Sequence, residues 1–372
     1  MGNLSAMAKS PVVEKIEEWW KTVGSSEAPR RYLGASVIGH ECDRYLWLYF
    51  RGLLRDDFDG RMYRLFDRGR REEDVFVREL RGIGCEVWPV DTRTGGQWAV
   101  SAVGGHFAGH LDGVARGIPG AEKTPHVLEF KTHSSASFAK LEKSGVKIAK
   151  PQHYAQMQVY MGLMKLTRAL YLAVNKDTDA EYAERVEFDR TFFTATMDRA
   201  KRIIEGDDAE PCASRPDDWR CKFCHGRAIC WPSSSDDRLT TVPRSCAIDC
   251  RTCCHAAPVT EGCGARWWCK LGMACSIGQP CRCESHVLLP VLVRAKLECF
   301  RTGTGTVEYK LPDGTVFANG ECAISSEEMR DNPKSVVLSP EVQACRTTFP
   351  GAHIVQEKDV FSPDSTGDWE PQ

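Results

Sequence analysis

Cysteines are distributed very unevenly along this chain of 372 residues. Of the 18 cysteines, Cys42 and Cys85 lie before position 212, and the other sixteen lie at or beyond it. The first ten residues, MGNLSAMAKS, contain no apolar signal-peptide core, and no segment approaches the roughly 20 apolar residues of a membrane span. We therefore expect a cytoplasmic protein without a membrane segment, whose clustered cysteines bind metal rather than form disulfides.

The change in cysteine density predicts a change in architecture along the chain. An N-terminal helix and tail are expected over 1–30, followed by a larger α/β domain over 31–231. The polar run PSSSDDRLT indicates a linker over 232–245. Beyond it, a cysteine-rich module with a small β unit, which includes GTVEYKLPDGTVFANG, is expected over 246–372.

Short strand-like segments alternate with helical ones before residue 212. The strand-like runs are rich in β-branched and aromatic residues, and they are CEVWPV, WAVSAV, GHLDGVA, HVLEFKT, RALYLAV and ERVEFD. Apolar residues at helical spacing mark MYRLFDRGRREEDVFVREL, YAQMQVYMGLMKL and TFFTATMDRAKRIIE as helices. This order predicts an α/β fold with a mixed sheet flanked by helices.

The run HVLEFKT carries a charged pair within an apolar strand. Because strand side chains alternate between faces, Leu128 and Phe130 should face one way, and Glu129 and Lys131 the other. Asp112 lies in another short apolar run, GHLDGVA. Two carboxylates from neighbouring strands make a minimal site for Mg²⁺ or Mn²⁺, and an amine beside them stabilises charge that develops on a phosphate.

These motifs, together with the helical pair Gln156 and Tyr160 in QMQVY, resemble those of the PD-(D/E)XK nuclease superfamily. In particular, the chain resembles the RecB-like branch, which includes CRISPR-associated iron-sulfur exonucleases and YqaJ-like phage exonucleases. The resemblance covers about residues 31 to 231 and implies a restriction-endonuclease-like fold. It implies that Asp112 and Glu129 are metal ligands and that Lys131 is catalytic. It also places Gln156 and Tyr160 on one helix face at the active site.

A third acidic ligand is expected on the helix that contains RGRREED. The resemblance favours Glu73, with Glu72 as the alternative, although many relatives have a histidine at this place. His110, two residues before Asp112, is expected on the same strand face as an accessory group.

Three cysteines, Cys221, Cys224 and Cys230, lie close together in CKFCHGRAIC and need a fourth thiolate to complete a metal site. Cys42 is the candidate for that ligand. One early cysteine and three late ones resemble the [4Fe-4S] site of relatives in this branch. Ligand spacing also permits a structural Zn²⁺ site.

The C-terminal cysteines suggest a second, structural zinc site. Its preferred ligands are Cys250, Cys253, Cys269 and Cys283, and either Cys246 or His286 is an alternative ligand.

The resemblance implies a bacterial or phage-encoded, Mg²⁺- or Mn²⁺-dependent DNA exonuclease. Such an enzyme would act on DNA ends or single strands in recombination or DNA processing, with a recombination, phage or CRISPR protein as a possible partner. The alternative is an inactive nuclease-like module that binds DNA or assembles with other proteins.

Overall fold

The computed structural model describes residues 10–25, 30–54, 58–272, 283–301, 305–350 and 352–354, with 297–301 described as backbone only. The chain divides into two compact units. The first unit comprises Met1–Phe50, Leu54–Cys212 and Pro258–Arg266. The second comprises Arg51–Leu53, Ala213–Ala257 and Trp267–Gln372.

The first unit is an α/β structure, as the sequence pattern predicted. Its helices are α1 (Pro11–Ser25), α2 (Asp43–Phe50), α3 (Gly60–Gly82), α4 (Ser135–Ala149), α5 (Pro151–Met164) and α6 (Arg190–Glu205). Its strands are β1 (Leu33–Gly34), β2 (Glu86–Trp88), β3 (Ala99–Ala102), β4 (Phe107–His110), β5 (Gly113–Arg116), β6 (His126–His133), β7 (Arg168–Asn175) and β8 (Glu181–Glu187).

A five-stranded mixed sheet forms the centre of the first unit, with the strand order β2-β5-β6-β7-β8. Strands β6 and β7 are parallel, and the other neighbouring pairs are antiparallel. Because parallel strands need a crossover, the chain returns through α4 and α5 between β6 and β7. The predicted mixed sheet with flanking helices is confirmed.

Helix α3 packs on one face of this sheet. The buried side chains that form this core include Phe76, Val77, Leu80, Val87, Leu128, Phe130, Leu170 and Leu172. The ring centroids of Phe76 and Phe130 lie 5.0 Å apart. Each such side chain contributes about 1.5–3 kcal/mol when it is fully buried. Leu128 and Phe130 therefore face α3, as the alternation along HVLEFKT predicted.

The segment GHLDGVA differs from the single strand that was expected. Strand β4 ends at His110 and belongs to a separate three-stranded sheet of order β1-β4-β3, whereas β5 begins at Gly113 in the main sheet. Leu111 and Asp112 form the junction between the two sheets. Asp112 is thus displayed at the end of a strand rather than within it.

The second unit contains short elements and a small sheet. Its helices are α7 (Arg227–Cys230), α8 (Ser326–Asp331), α9 (Lys334–Val337) and α10 (Pro340–Thr348). Its strands are β9 (Ala256–Pro258, whose last residue is assigned to the first unit), β10 (Trp267–Cys269), β11 (Lys296–Arg301), β12 (Thr306–Lys310) and β13 (Val316–Gly320). Strands β11, β12 and β13 form an antiparallel sheet. The predicted small β unit is present there.

The division into units differs from the predicted domain limits. Residues 213–231 fall in the second unit rather than in the α/β domain. The expected linker over 232–245 is packed into the same unit, where Thr240 is fully buried and its hydroxyl donates to the Leu292 carbonyl at 2.6 Å. Buried Leu239 and Val242 explain this packing, because the apolar residues after the polar run need a core.

Within the described ranges, none of the helices combines the length and apolar character that crossing a membrane requires.

Candidate metal-dependent active site

Asp112 and Glu129 are brought together by the pairing of β5 with β6. Gly113 lies opposite Leu128 in the register, so the preceding residue, Asp112, lies beside the next residues of β6. The Asp112 Oδ2 atom accepts a hydrogen bond from the Phe130 N–H at 2.7 Å. This bond fixes the Asp112 carboxylate against the strand that carries Glu129.

The Lys131 ammonium lies between the two carboxylates. Its Nζ atom forms an ion pair with Glu129 Oε1 and lies 3.9 Å from Asp112 Oδ2. It also donates to the Phe130 carbonyl at 2.9 Å. A single cation therefore reaches both acidic side chains, which means that Asp112 and Glu129 converge from two strands on one point.

Glu129 is the most buried member of this cluster. Its side chain is 0% exposed, whereas those of Asp112 and Lys131 are 12% and 27% exposed. Within the described chain, neither carboxylate oxygen of Glu129 has a hydrogen-bond donor of good geometry. Burial, only partly offset by Lys131, raises the pKa of Glu129 to about 7. Because burial alone would lower the pKa of Lys131, its raised pKa reflects the dominant effect of the carboxylates, Glu129 first and then Asp112.

Glu73 lies within electrostatic reach of the cluster. It is on α3, whose first turn is capped by the Asp59 side chain accepting from the Met62 N–H at 2.8 Å. Burial and then the charge of Asp112 raise the pKa of Glu73 to about 7. The charge of Glu72 instead contributes to the raised pKa of Glu181, after burial and Glu79. The electrostatics therefore favour Glu73 over Glu72, and its role as a ligand stays a prediction.

The donor set suits a hard divalent cation. Mg²⁺ is commonly held by one or two carboxylates and completes its shell with water and substrate phosphate oxygens. Asp112 and Glu129 supply such a pair. Glu129 Oε1 has the Lys131 ammonium as its ion-pair partner, and Oε2 has no hydrogen-bond donor among the described residues. In the parts of the chain that are described, three or more His, Cys, Asp or Glu side chains do not form a metal-holding group. The fit thus rests on two converging carboxylates.

Gln156 and Tyr160 lie one helical turn apart on α5 and form a chain of hydrogen bonds toward the junction at Asp112. The Gln156 amide donates to the Tyr160 hydroxyl at 3.0 Å, and that hydroxyl donates to the His110 carbonyl at 2.7 Å. Both side chains are buried, at 6% and 1% exposed. A Cβ at Gly109 would lie 2.7 Å from the Tyr160 ring, so glycine there permits this approach. The geometry indicates that the pair holds the backbone next to Asp112 in place.

His110 contributes its backbone to the site. Its side chain is exposed and stands at the end of β4, while Asp112 lies outside that strand. The expectation that both share one strand face was wrong, because the strand ends at His110. Its accessory role at a metal stays a prediction.

The four cysteines predicted to hold a cluster fall in both units. Cys42 is in the first unit, and Cys221, Cys224 and Cys230 are in the second. The Cys42 sulfur accepts long hydrogen bonds from the backbone N–H groups of Tyr45 and Cys212, both at 3.4 Å. Such N–H donors are the kind of contact that tunes ligating sulfurs. The cluster itself stays a prediction.

Of the residues predicted to hold zinc, Cys250 and Cys253 are buried and pack with Ala256 and Trp267 in the second unit. Cys269 and Cys283 are partly buried. Cys246, the alternative ligand, is buried, and its thiol lies 3.5 Å from the Leu53 carbonyl. No metal group is formed by the described side chains, so the zinc site stays a prediction.

His286, the other alternative zinc ligand, is engaged by its protein surroundings. Nε2 lies 3.0 Å from the Asp249 carbonyl, and Nδ1 lies 2.8 Å from the Ser326 hydroxyl. Burial lowers the pKa of His286 to about 4, so the ring is neutral. Since both ring nitrogens have hydrogen-bond partners, the structure favours a structural role for His286 rather than metal binding.

Four polar residues near the cluster were not predicted from the sequence: His133, Lys150, His153 and Tyr171. His133 continues the alternation of Glu129 and Lys131 along β6. Tyr171 is the partner of Glu129 in the register of β7 with β6. His153 precedes Gln156 by three residues on α5, which places both near one helix face. The alternation along β6 and the helical spacing on α5 were the sequence signals that could have identified His133 and His153.

Comparisons with known proteins give a weak structural likeness. No known family model and no curated protein matches the chain. Among solved structures, it is similar to LHK-Exo in complex with dAMP, with a TM-score of 0.34 and 15% identity over 50% of this chain and 90% of that one. A second structure, described as an alkaline exonuclease (LHK-Exo) from Laribacter hongkongensis, has a TM-score of 0.31 and 14% identity over the same shares of the two chains. The structure of SSO0001 has a TM-score of 0.34 and 16% identity, over 60% of this chain and 98% of that one. At these TM-scores the likeness carries no argument, so the function is argued from the site.

Proposed function

We propose that the protein is a metal-dependent nuclease that hydrolyses phosphodiester bonds of DNA. The observation that carries this proposal is the convergence of Asp112 and Glu129 on the ammonium of Lys131. A buried acidic pair is costly to a fold unless cations neutralise it. One lysine leaves two ionised carboxylates with excess negative charge, and this excess grows when Glu73 is also ionised. The arrangement is well suited to holding a divalent cation.

The side chains divide the chemistry between them. Asp112 and Glu129 would hold Mg²⁺ or Mn²⁺, which when bound neutralises phosphate charge and makes water a stronger nucleophile. Lys131 stabilises the charge that develops on the phosphate oxygens and orients the attacking water. Water adds to phosphorus, the bond to the leaving oxygen breaks, and that oxygen acquires a proton. Glu73, whose pKa in the metal-free chain is raised by burial and then by Asp112, is the candidate acceptor for the proton of the attacking water.

Gln156 and Tyr160 act through the backbone in this scheme. Their hydrogen-bond chain ends on the His110 carbonyl, two residues before Asp112. A carboxylate must stay within a fraction of an ångström of its working position, so this support affects rate more than binding. We therefore assign both residues to positioning.

The finer features of the proposal extend the same activity. We propose an exonuclease that acts on DNA ends or single strands in recombination or DNA processing, with a recombination, phage or CRISPR protein as its partner. A [4Fe-4S] cluster at Cys42, Cys221, Cys224 and Cys230, and a zinc ion at Cys250, Cys253, Cys269 and Cys283, would serve as structural cofactors.

The test is cleavage of end-labelled DNA after EDTA treatment and addition of Mg²⁺ or Mn²⁺. Linear single strands, linear duplexes and closed circles are compared, because an exonuclease spares the circles. Lys131→Ala and Asp112→Ala should abolish cleavage and keep DNA binding. Lys123→Ala and Asp198→Ala, at exposed positions, are matched controls that should cleave normally. A wild-type protein that binds DNA and cuts none of these substrates with either metal would support an inactive DNA-binding module instead.

A further inference from the structure

A cavity of about 440 Å³ lies directly beside the acidic cluster. Its lining comes from the end of β6 and from the junction of α4 and α5, and it includes Lys131, His133, Lys150, Gln152 and His153. Lys131 belongs to both the cluster and the cavity wall. A molecule in this cavity would therefore lie next to the reacting phosphate. The volume falls in the range of about 300–1,000 Å³ that accommodates small ligands, which includes a nucleotide.

The charge of the cavity is suited to an anion. Among the described residues, its wall contains two lysines and no aspartate or glutamate. Lys150 is partly buried, its amine donates to the Ser137 hydroxyl, and it forms no ion pair with the described residues. Burial and the charge of Lys140 lower the pKa of Lys150. A bound anion would offset both effects, because it supplies the opposite charge that the protein does not.

A histidine in the same wall is held in a fixed orientation by a buried tyrosine. The fully buried Tyr171 places its hydroxyl 2.9 Å from Nδ1 of His153 and 2.8 Å from Nε2 of His133. The rings of His133 and His153 stack with centroids 5.9 Å apart. Because Nδ1 of His153 is used by the Tyr171 hydroxyl, a ligand in the cavity that this histidine lines would have to contact Nε2. A ring fixed in this way binds with little loss of side-chain entropy.

We propose that this cavity binds a second phosphate of the DNA strand, adjacent to the scissile one, through Lys150 and His153. The inference rests on the proposed nuclease function and deepens it. Lys131 contacts the scissile phosphate from one side of the site, and Lys150 and His153 hold the neighbouring phosphodiester. The strand is thereby aligned across the acidic cluster.

The first experiment measures binding of a fluorescein-labelled single-stranded oligonucleotide in EDTA, where no bond is cut. Lys150→Met should weaken binding about tenfold, the usual effect of losing one charged hydrogen bond. The slope of log K against log salt should become shallower by about 0.7, as expected for one lost phosphate contact on a single strand. Lys123→Met, at an exposed position outside the cavity wall, removes the same charge and should bind as wild type does.

The second experiment keeps the wild-type fold and changes the DNA. A neutral methylphosphonate is placed at each phosphate in turn, and cleavage is followed with Mg²⁺. At the position next to the scissile bond it should lower kcat/KM of wild type about tenfold and lower that of Lys150→Met no further. Additive losses at every position, or a Lys150→Met protein with wild-type binding and salt slope, would overturn the inference.

The experiments distinguish failure of the nuclease proposal from failure of the cavity inference. If the wild-type protein cuts no DNA, the nuclease proposal fails, and the binding experiment still tests the cavity. If it cuts DNA and Lys150→Met behaves as wild type in both experiments, the cavity inference fails and the nuclease proposal stands.

Discussion

Replacing Glu129 by glutamine should change how the stability of the metal-free protein depends on pH. The Glu129 carboxyl has a pKa of about 7 in the folded chain against an ordinary value of 4.5. A raised carboxyl pKa means that the folded state binds the proton more tightly than the unfolded state. The stabilisation from this proton is therefore complete below about pH 4.5 and is lost as the pH rises through about 7.

The size of the effect follows from the two pKa values. The interval between 4.5 and about 7 corresponds to about 3 kcal/mol at 1.36 kcal/mol per pH unit. The free energy of unfolding of wild type, relative to Glu129→Gln, should thus fall by up to about 3 kcal/mol between about pH 4.5 and about pH 8. Glu73 is present in both proteins, so its own titration largely cancels in the difference.

The assay is urea unfolding in EDTA across this pH range, followed by tryptophan fluorescence and circular dichroism. Because two units can unfold separately, the transition that responds to the substitution is the one to analyse. Glu86→Gln, at an exposed position of β2, is the control and should track wild type. Mg²⁺ at 100 times its Kd should restore about 2.7 kcal/mol to wild type and less to Glu129→Gln. A difference that stays constant with pH would refute the electrostatic account of the cluster.

Three further predictions follow from the site and from the cysteines. Tyr160→Phe removes the hydroxyl that bonds to the His110 carbonyl, so it should cost about 1 kcal/mol in urea unfolding and lower kcat while the Kd for DNA stays unchanged; an equal loss in binding would contradict a positioning role. Protein purified without oxygen should be brown with absorbance near about 400 nm, and Cys221→Ala should remove this absorbance and the iron; a colourless wild type containing zinc alone would disprove the cluster. Cys253→Ser should lower the zinc content measured by elemental analysis, whereas Cys322→Ser, at an exposed cysteine, should retain it; equal zinc in both variants would exclude Cys253 as a ligand.

The sequence predicted the central sheet and the faces of β6 because local periodicity determines both. Alternation along HVLEFKT places Leu128 and Phe130 under α3 and leaves Glu129 and Lys131 together. The long helix α3 was equally evident from its apolar spacing and its end at Gly82. These features depend on residues close in sequence, so a single chain is enough to reveal them.

The features that the sequence did not reveal depend on contacts between distant residues. The break after His110 moves one strand into a second sheet, and the pairing of β4 with β1 and β3 decides it. The Tyr171 hydroxyl contacts His133 and His153, which lie 38 and 18 residues away from it along the chain, so the contact joins two strands and a helix. The ligands of the zinc and iron-sulfur sites are equally hard to predict, because cysteine spacing limits the possible ligand sets without selecting one of them.

The charge balance of the cluster explains why hydrogen bonds hold its carboxylates and the adjacent backbone in fixed positions. Glu73 and Glu129 each have a pKa of about 7 in the presence of Lys131, so near neutral pH a proton or a further cation must offset the remaining negative charge. Without either, repulsion would separate the carboxylates. The fold resists this separation through the Phe130 N–H on Asp112 and the hydrogen-bond chain from Gln156. A chain selected for stability alone would replace the buried charged cluster with apolar residues, since replacing a buried ion pair in this way is often neutral or stabilising. The retention of the carboxylates in fixed positions therefore favours cation binding as their role. The gain in the free energy of unfolding on addition of Mg²⁺ measures how strongly cation binding is coupled to folding.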